Sequence, residues 1–151
     1  MTPRRPATRP LAVAAAVLLA LGAAGCSGAG GVSVTAGPTA QSAPASGSQV
    51  GTEEFAAALK RPGTTLLDVR TPAEFAEGHL PGAVNIDLSA PDFADRIAAL
   101  PPDAAYAVYC RTGSRSAEAV SRMTDAGFTG AFDLAGGISA WQEAGGEVVD
   151  D

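Results

Sequence analysis

Tyr106-Ala107-Val108-Tyr109-Cys110-Arg111-Thr112-Gly113-Ser114-Arg115-Ser116 is the stretch on which the interpretation of this chain turns. Its first four residues are apolar and β-prone, suited to a buried strand. The turn that follows contains Gly113. A helix is expected from about Ser116 to Ala126, with Ala119, Val120 and Met123 on one side and Gly127 as its stop. Around such a strand–loop–helix junction, backbone N–H groups converge on the loop centre and the helix N-terminus adds partial positive charge. Arg111 and Arg115 supply two full charges. A cysteine held there is expected as a thiolate nucleophile, and the same cradle suits a small oxyanion such as thiosulfate.

Upstream of this stretch, helical and extended patterns alternate. Thr52 precedes Glu53-Glu54 and the periodic Phe55, Ala58 and Leu59, which predicts a capped helix ended by Pro62-Gly63. Thr64 to Val69 reads as a buried strand. Thr71 caps a second helix with Pro72 at its first position, stopped by Gly78. Ala83-Val84-Asn85-Ile86 resumes extended chain, and Ser89 and Pro91 open a helix that places Phe93, Ile97 and Leu100 on one face. Downstream come a strand near Ala131 to Leu134, the pair Gly136-Gly137, and a helix from Ile138 to Ala144 presenting Trp141. This alternation predicts an α/β fold, a central parallel β-sheet with helices on both faces. In such sheets the ligand crevice lies beyond the carboxyl ends of the strands, where Cys110 falls.

The N-terminal third reads differently. Arg4, Arg5 and Arg9 precede the apolar run Leu11 to Leu21, and Gly22-Ala23-Ala24-Gly25 leads into Cys26. This is the pattern of a secretory signal over residues 1–25, and its apolar run is too short for a transmembrane helix, which needs about twenty residues. Small residues directly before a cysteine resemble a bacterial lipobox, with Cys26 as the lipidated residue, although Ala23 stands where that motif usually has leucine. Arg4-Arg5 lacks the apolar continuation of a twin-arginine signal, so the export route stays open. From Ser27 to about Gly51 the chain is made of small and uncharged residues, a flexible tether over 26–50. The folded domain is expected over 51–151, on the outer face of the cytoplasmic membrane or in the cell envelope.

Sixteen acidic residues face ten basic ones. Without Arg4, Arg5 and Arg9 the balance is seven against sixteen, or −9. Such a domain is unsuited to nucleic acid or an anionic membrane surface, so any anion must be caught by a local device. With Cys26 lipidated, Cys110 is the only remaining thiol and no disulfide is available. The alternative role for Cys110 is a buried, inert core thiol.

Four separated motifs in order resemble a rhodanese domain: Asp68-Val69-Arg70 with Pro72, Glu74 and Phe75; Gly78 through Ile86; Cys110 through Ser116; and Gly136-Gly137-Ile138 with Trp141. The resemblance implies a sulfurtransferase in which Cys110 carries sulfane sulfur as a persulfide from thiosulfate or a related donor to a thiol or cyanide acceptor. Arg111, Thr112, Gly113, Ser114 and Arg115 form the active-site loop, Arg115 holding the donor oxyanion. No metal or organic cofactor is implied. Related cysteine phosphatases and arsenate reductases place five residues between Cys and Arg. Here there are four, Arg111 to Ser114, and the tighter loop favours sulfur over phosphoryl transfer. Arg111 directly after the cysteine favours thiosulfate over mercaptopyruvate.

Asp68 and Arg70 are expected in a supporting role, fixing loops by hydrogen bonds. His79 is assigned to a structural turn, Glu74 and Phe75 to capping and core, and Trp141 with the glycine pair to a packing anchor beside the loop. A second class of function is a non-catalytic persulfide carrier or redox-responsive module docked to an envelope protein. The redox version is weakened by the lack of a resolving cysteine.

Overall fold

The computed structural model describes residues 42–150. The signal segment, Cys26 and the tether up to residue 41 lie outside the described residues. Strands and helices alternate: β1 (Gln49–Val50), α1 (Thr52–Leu59), β2 (Thr64–Asp68), α2 (Pro72–Ala76), β3 (Val84–Asn85), α3 (Phe93–Ala98), β4 (Ala105–Tyr109), α4 (Ser114–Asp125), β5 (Ala131–Leu134) and α5 (Gly137–Glu143). The sheet is parallel throughout, in the order β1-β5-β4-β2-β3.

Both faces of the sheet are covered, and the strands show it by alternation. Leu67, Tyr106, Val108, Cys110 and Ala131 pack with Phe93 and Ile97 of α3 and Ala119, Val120 and Met123 of α4. Their strand neighbours Leu66, Ala107, Tyr109, Phe132 and Leu134 pack with Phe55 and Ala58 of α1 and Ile138 of α5 on the other face. Apolar side chains on both sides of each central strand explain why these segments read as continuous apolar runs.

The connection after β2 leads outward to β3, whereas the connection after β4 leads the opposite way to β5. The chain therefore reverses between two adjacent strands, paired Asp68 to Tyr109 at their carboxyl ends. A crevice is expected at such a point. The segment after β2 carries Arg70, Thr71 and, in the first turn of α2, Glu74; the loop after β4 is the Cys110 loop.

Local chemistry moves several expected boundaries. Thr52 is the first helical residue of α1 rather than its cap; Gly51 holds the cap without a side-chain bond. Thr71 caps α2 reciprocally, its Oγ accepting from the Glu74 N–H at 3.3 Å while Glu74 Oε2 accepts from the Thr71 N–H at 3.1 Å. The helix expected to open at Ser89 begins at Phe93, because Ser89 is turned onto the Asp87 carboxylate by its N–H and its hydroxyl. α4 starts two residues early, at Ser114, with Gly113 at φ 100° as its cap. Ser114 and Arg115 thus belong to its first turn.

The tether also ends sooner than the boundary at residue 51. Gln49 and Val50 pair with Asp133 and Leu134 as an edge strand, and Val50 is buried in the α1/α5 core. The Gly47 N–H donates to Ala131 O at 2.7 Å, the Asp133 N–H to Ser48 O at 3.0 Å and the Ala135 N–H to Val50 O at 2.9 Å. One polar and one apolar strand residue after a long uncharged run carry little periodicity, and only the sheet identifies them. A chain beginning at Thr52 should therefore be less stable than one beginning at Ser42 by about 3 kcal/mol, at roughly 1 kcal/mol per lost backbone bond. Equal urea midpoints would show that β1 contributes nothing.

Candidate active site

Cys110 follows the last residue of β4 and is 1 % exposed. Burial alone would suit an inert core thiol. The sulfur, however, accepts a hydrogen bond from the Gly113 N–H at 3.1 Å, and Gly113 is the residue from which α4 departs. The thiol therefore sits against an amide and a helix N-terminus on its loop side. Arg111 and Thr112, between these two points, are exposed.

A loop that presents N–H groups inward must dispose of its carbonyls elsewhere. Here Cys110 O accepts from the Ile138 N–H at 2.9 Å, and Arg111 O accepts from the Ser139 N–H at 3.2 Å and the Ser139 hydroxyl at 3.1 Å. These donors are the first amides of α5, which lack partners inside their own helix. The approach is so close that a Cβ on Gly137 would lie 2.4 Å from Cys110 O and 2.6 Å from the Arg111 carbonyl carbon. Gly137 also sits at φ 58°, a left-handed conformation that disfavours side chains. The glycine pair before Trp141 thus docks α5 directly against the cysteine loop. Trp141 itself anchors the helix edge-on to Phe55 and donates its indole N–H to Glu147 O at 2.9 Å.

Arg115 is not left open to a ligand. Its Nη1 and Nη2 donate to Glu74 Oε2 and Oε1 at 2.8 and 2.7 Å, a two-pronged pair across the β2/β4 crevice. A guanidinium in the first turn of a helix opposes the helix dipole, and the Glu74 carboxylate offsets that. The Arg115 bonds, followed by those from Thr71, hold the Glu74 carboxyl well below its ordinary range, at about 2. Glu74, expected only as a capping residue, therefore also fixes the orientation of the loop arginine. The Thr71-Pro72-Ala73-Glu74 capping box was visible in the sequence; the long-range pair was not.

Asp68 and Arg70 are buried and bonded to each other. Arg70 Nε donates to Asp68 Oδ1 and Oδ2 at 3.0 and 2.9 Å, and Nη2 donates to Asp68 Oδ2 and Gly78 O, each at 2.6 Å. Asn85 Nδ2 ties the carbonyls of Asp68 and Arg70. Tyr109 stands over Arg70, 5.8 Å from ring centroid to guanidinium, and its hydroxyl accepts from the Leu80 N–H at 3.0 Å. Burial, then the charge of Asp68, pushes the Tyr109 phenol pKa upward. His79 lies in the turn beyond, stacked 3.7 Å from the Phe75 ring, with Nδ1 3.0 Å from Phe75 O and its backbone bridged to Val149.

Three further residues, Ser116, Asp133 and Gln49, support the loop from behind; Ser116 closes the Cys110–Ser116 motif, and the other two come from β5 and β1. Ser116 is fully buried with Oγ 3.0 Å from Gly113 O and 3.0 Å from Asp133 Oδ2. Gln49 Nε2 donates to the same Asp133 oxygen at 2.9 Å. A lone Asp within the run Ala131-Phe132-Asp133-Leu134 was the available clue. Among the described residues, no group of three or more His, Cys, Asp or Glu is gathered as a metal would require.

A family model for the rhodanese-like domain matches residues 51–144. The probable adenylyltransferase/sulfurtransferase MoeZ of Mycobacterium tuberculosis is 45 % identical over 76 residues, half of this chain, which spans only 19 % of that protein. Thiosulfate sulfurtransferase 16, chloroplastic, of Arabidopsis thaliana is 38 % identical over 93 residues, covering 55 % of this chain and 78 % of its own length. A rhodanese-related protein from Thermoplasma volcanium superposes with a TM-score of 0.60 at 32 % identity, covering 69 % of this chain and 99 % of its own.

The Glu74–Arg115 pair has a pH signature. Because the folded-state Glu74 pKa is depressed to about 2, its stabilisation is complete above the ordinary carboxylate pKa and disappears as pH falls through that folded value. The stability difference between the wild type and Glu74→Gln, measured by urea unfolding, should be largest near neutrality and shrink on acidification below about pH 4.5. A pH-independent difference would remove the ion pair from the account. Gly137→Ala should lower stability by about 1–3 kcal/mol, the usual cost of overpacking, as read from the urea midpoint.

Proposed function

The chain belongs to the rhodanese-like domain family, and from that membership we propose that it is a sulfurtransferase working through a Cys110 persulfide. One observation carries the proposal: a thiol that accepts the Gly113 amide while the carbonyls of its own loop are drawn away onto α5. Relatives named as sulfurtransferases support the class of reaction.

With thiosulfate as donor, the Cys110 thiolate attacks the outer sulfur, the S–S bond of thiosulfate breaks, and sulfite leaves with the bonding pair. Cys110 then carries one added sulfur. A nucleophilic acceptor attacks that outer sulfur, takes it, and returns the Cys110 thiolate; a thiol becomes a persulfide and cyanide becomes thiocyanate. No electron or proton from outside is needed when donor and acceptor are both anions. The loop from Arg111 to Arg115 surrounds the transferred atom. Arg111 is exposed at the mouth, whereas Arg115 meets an anion only together with its partner Glu74. The donor's sulfonate end is therefore assigned chiefly to backbone amides and Arg111.

The site of action is assigned outside the cytoplasm, with the domain held to the membrane by an acylated Cys26 and the uncharged tether after it. The support is the order Arg4-Arg5-Arg9, apolar run, small residues, cysteine. An envelope protein is then a natural acceptor. The second reading, a persulfide carrier discharged only by a specific partner, is favoured by the 1 % exposure of Cys110.

The test is the intact mass of the protein before and after thiosulfate. The native chain should gain one sulfur atom and Cys110→Ser none. No gain on a reduced, unoxidised Cys110 would eliminate thiosulfate as donor. Multiple turnover with cyanide or a thiol separates the enzyme from the carrier.

A further inference from the structure

The buried carboxyl of Asp133 lies on β5, on the α4 side of the sheet, and is 2 % exposed. Its Oδ2 is 2.9 Å from Gln49 Nε2 and 3.0 Å from Ser116 Oγ, and Ser116 Oγ is 3.0 Å from Gly113 O. Gly113 in turn supplies the N–H that reaches Cys110 Sγ. A continuous path of contacts therefore runs from Asp133 through Ser116 and Gly113 to the thiol.

Counting protons makes this path informative. A serine hydroxyl has one proton to donate, and Ser116 faces two acceptors at equal distance. If Asp133 is ionised, its carboxylate is the stronger acceptor and draws the Ser116 proton, leaving Gly113 O with the Ala117 N–H alone. If Asp133 is the neutral acid, its own O–H donates to Ser116 Oγ and the serine proton goes to Gly113 O. Burial favours the neutral form, raising the Asp133 pKa above the ordinary carboxylate value despite the Gln49 and Ser116 bonds that lower it. Charges nearby do not offset this. Gln49 on β1 and Val108, its neighbour on β4, are uncharged, and α4 contributes Ser116, Ser121 and Thr124. Asp125 is the one other titratable group lining the cavity of about 330 Å³ beside Asp133.

We propose that Asp133 is a positioning residue for the Cys110 loop: its neutral carboxyl commits the Ser116 hydroxyl to Gly113 O, and its ionisation withdraws that bond. Fixing the Gly113 carbonyl fixes the first turn of α4 and, through it, the amide that faces the sulfur. The inference rests on Cys110 being the reactive group, as in the sulfur-transfer proposal, but not on thiosulfate being its donor.

The experiment uses the full chain and measures alkylation of Cys110 by iodoacetamide from the ordinary carboxylate range upward to mildly alkaline pH, in the wild type, Asp133→Asn and Ser116→Ala. The carboxamide of the Asp133→Asn variant cannot ionise and can keep a donor on Ser116, with the Gln49 amide turned over to accept. Ratios of rate constants at each pH cancel whatever pH dependence the compared proteins share. The wild-type to Asp133→Asn ratio should be near one in acid and fall about fivefold through a single ionisation as pH rises, as expected for one hydrogen bond of about 1 kcal/mol. The wild-type to Ser116→Ala ratio should begin about fivefold above one and fall to one over the same interval. Ratios that do not change with pH would overturn the proposal, and the serine variant decides alone if Asp133→Asn fails to fold. Sulfur gain from thiosulfate is read in parallel on the same samples. The predicted alkylation pattern without sulfur gain would overturn thiosulfate as donor while leaving the positioning role intact.

Discussion

The interaction on which the rest of this structure depends is the docking of the Cys110 and Arg111 carbonyls onto the first amides of α5. A peptide loop cannot offer N–H groups to a sulfur without turning carbonyls the other way, and buried carbonyls need donors. The only amides a helix has to spare are at its N-terminus. This sets the requirement for α5, for a backbone approach near 2.4 Å to any added Cβ, and hence for glycine at 137. It also sets the position of β5, which must deliver α5 beside β4. The sheet order, with β5 next to β4, meets that demand.

Charge is handled in the same local way. The acidic domain repels anions at a distance, so its cations at the β2/β4 crevice matter more than the net balance. Arg70 is consumed by Asp68 and by Gly78 O, deep under the turn that carries His79. Arg115 is consumed by Glu74. Both pairs join the loop after β2 to something else: the first to the turn after α2, the second to α4. The second holds the two sides of the crevice in register. Arg111, exposed at the mouth, is the loop cation that pairs with neither carboxylate.

Much of this was legible in the sequence. The alternation of strands and helices, the parallel sheet and the strand end at Tyr109 follow from runs of apolar residues punctuated by glycine and proline. The loop from Cys110 to Arg115 and the glycine pair follow from residues whose chemistry is local. What stayed hidden was non-local. β1 is two residues long, and no periodicity distinguishes it from the tether. Gln49, Ser116 and Asp133 come from three elements, and only the sheet register brings Asp133 beside Gln49. Glu74 was assigned its local job as a cap, and its second partner lies 41 residues away. The start of α4 was misplaced because Gly113, in a left-handed conformation, caps a helix without a side-chain bond that could be read.

A domain of this size without a disulfide has few ways to hold a reactive loop still, and this one fastens it on three sides. α5 takes the two carbonyls, Glu74 takes the arginine, and Ser116 takes the carbonyl of Gly113. Each fastening uses a group that the fold had to satisfy anyway: helix-end amides, a charge opposed to a helix dipole, a buried hydroxyl. The sulfur therefore meets its amide in the fold itself, a preorganisation that the proposed sulfur transfer would use. The second and third fastenings both turn on a carboxyl, in opposite senses. Glu74 holds Arg115 as a carboxylate and lets go when it gains a proton, whereas in the proposed role of Asp133 the bond from Ser116 to Gly113 O is kept while that carboxyl retains its proton.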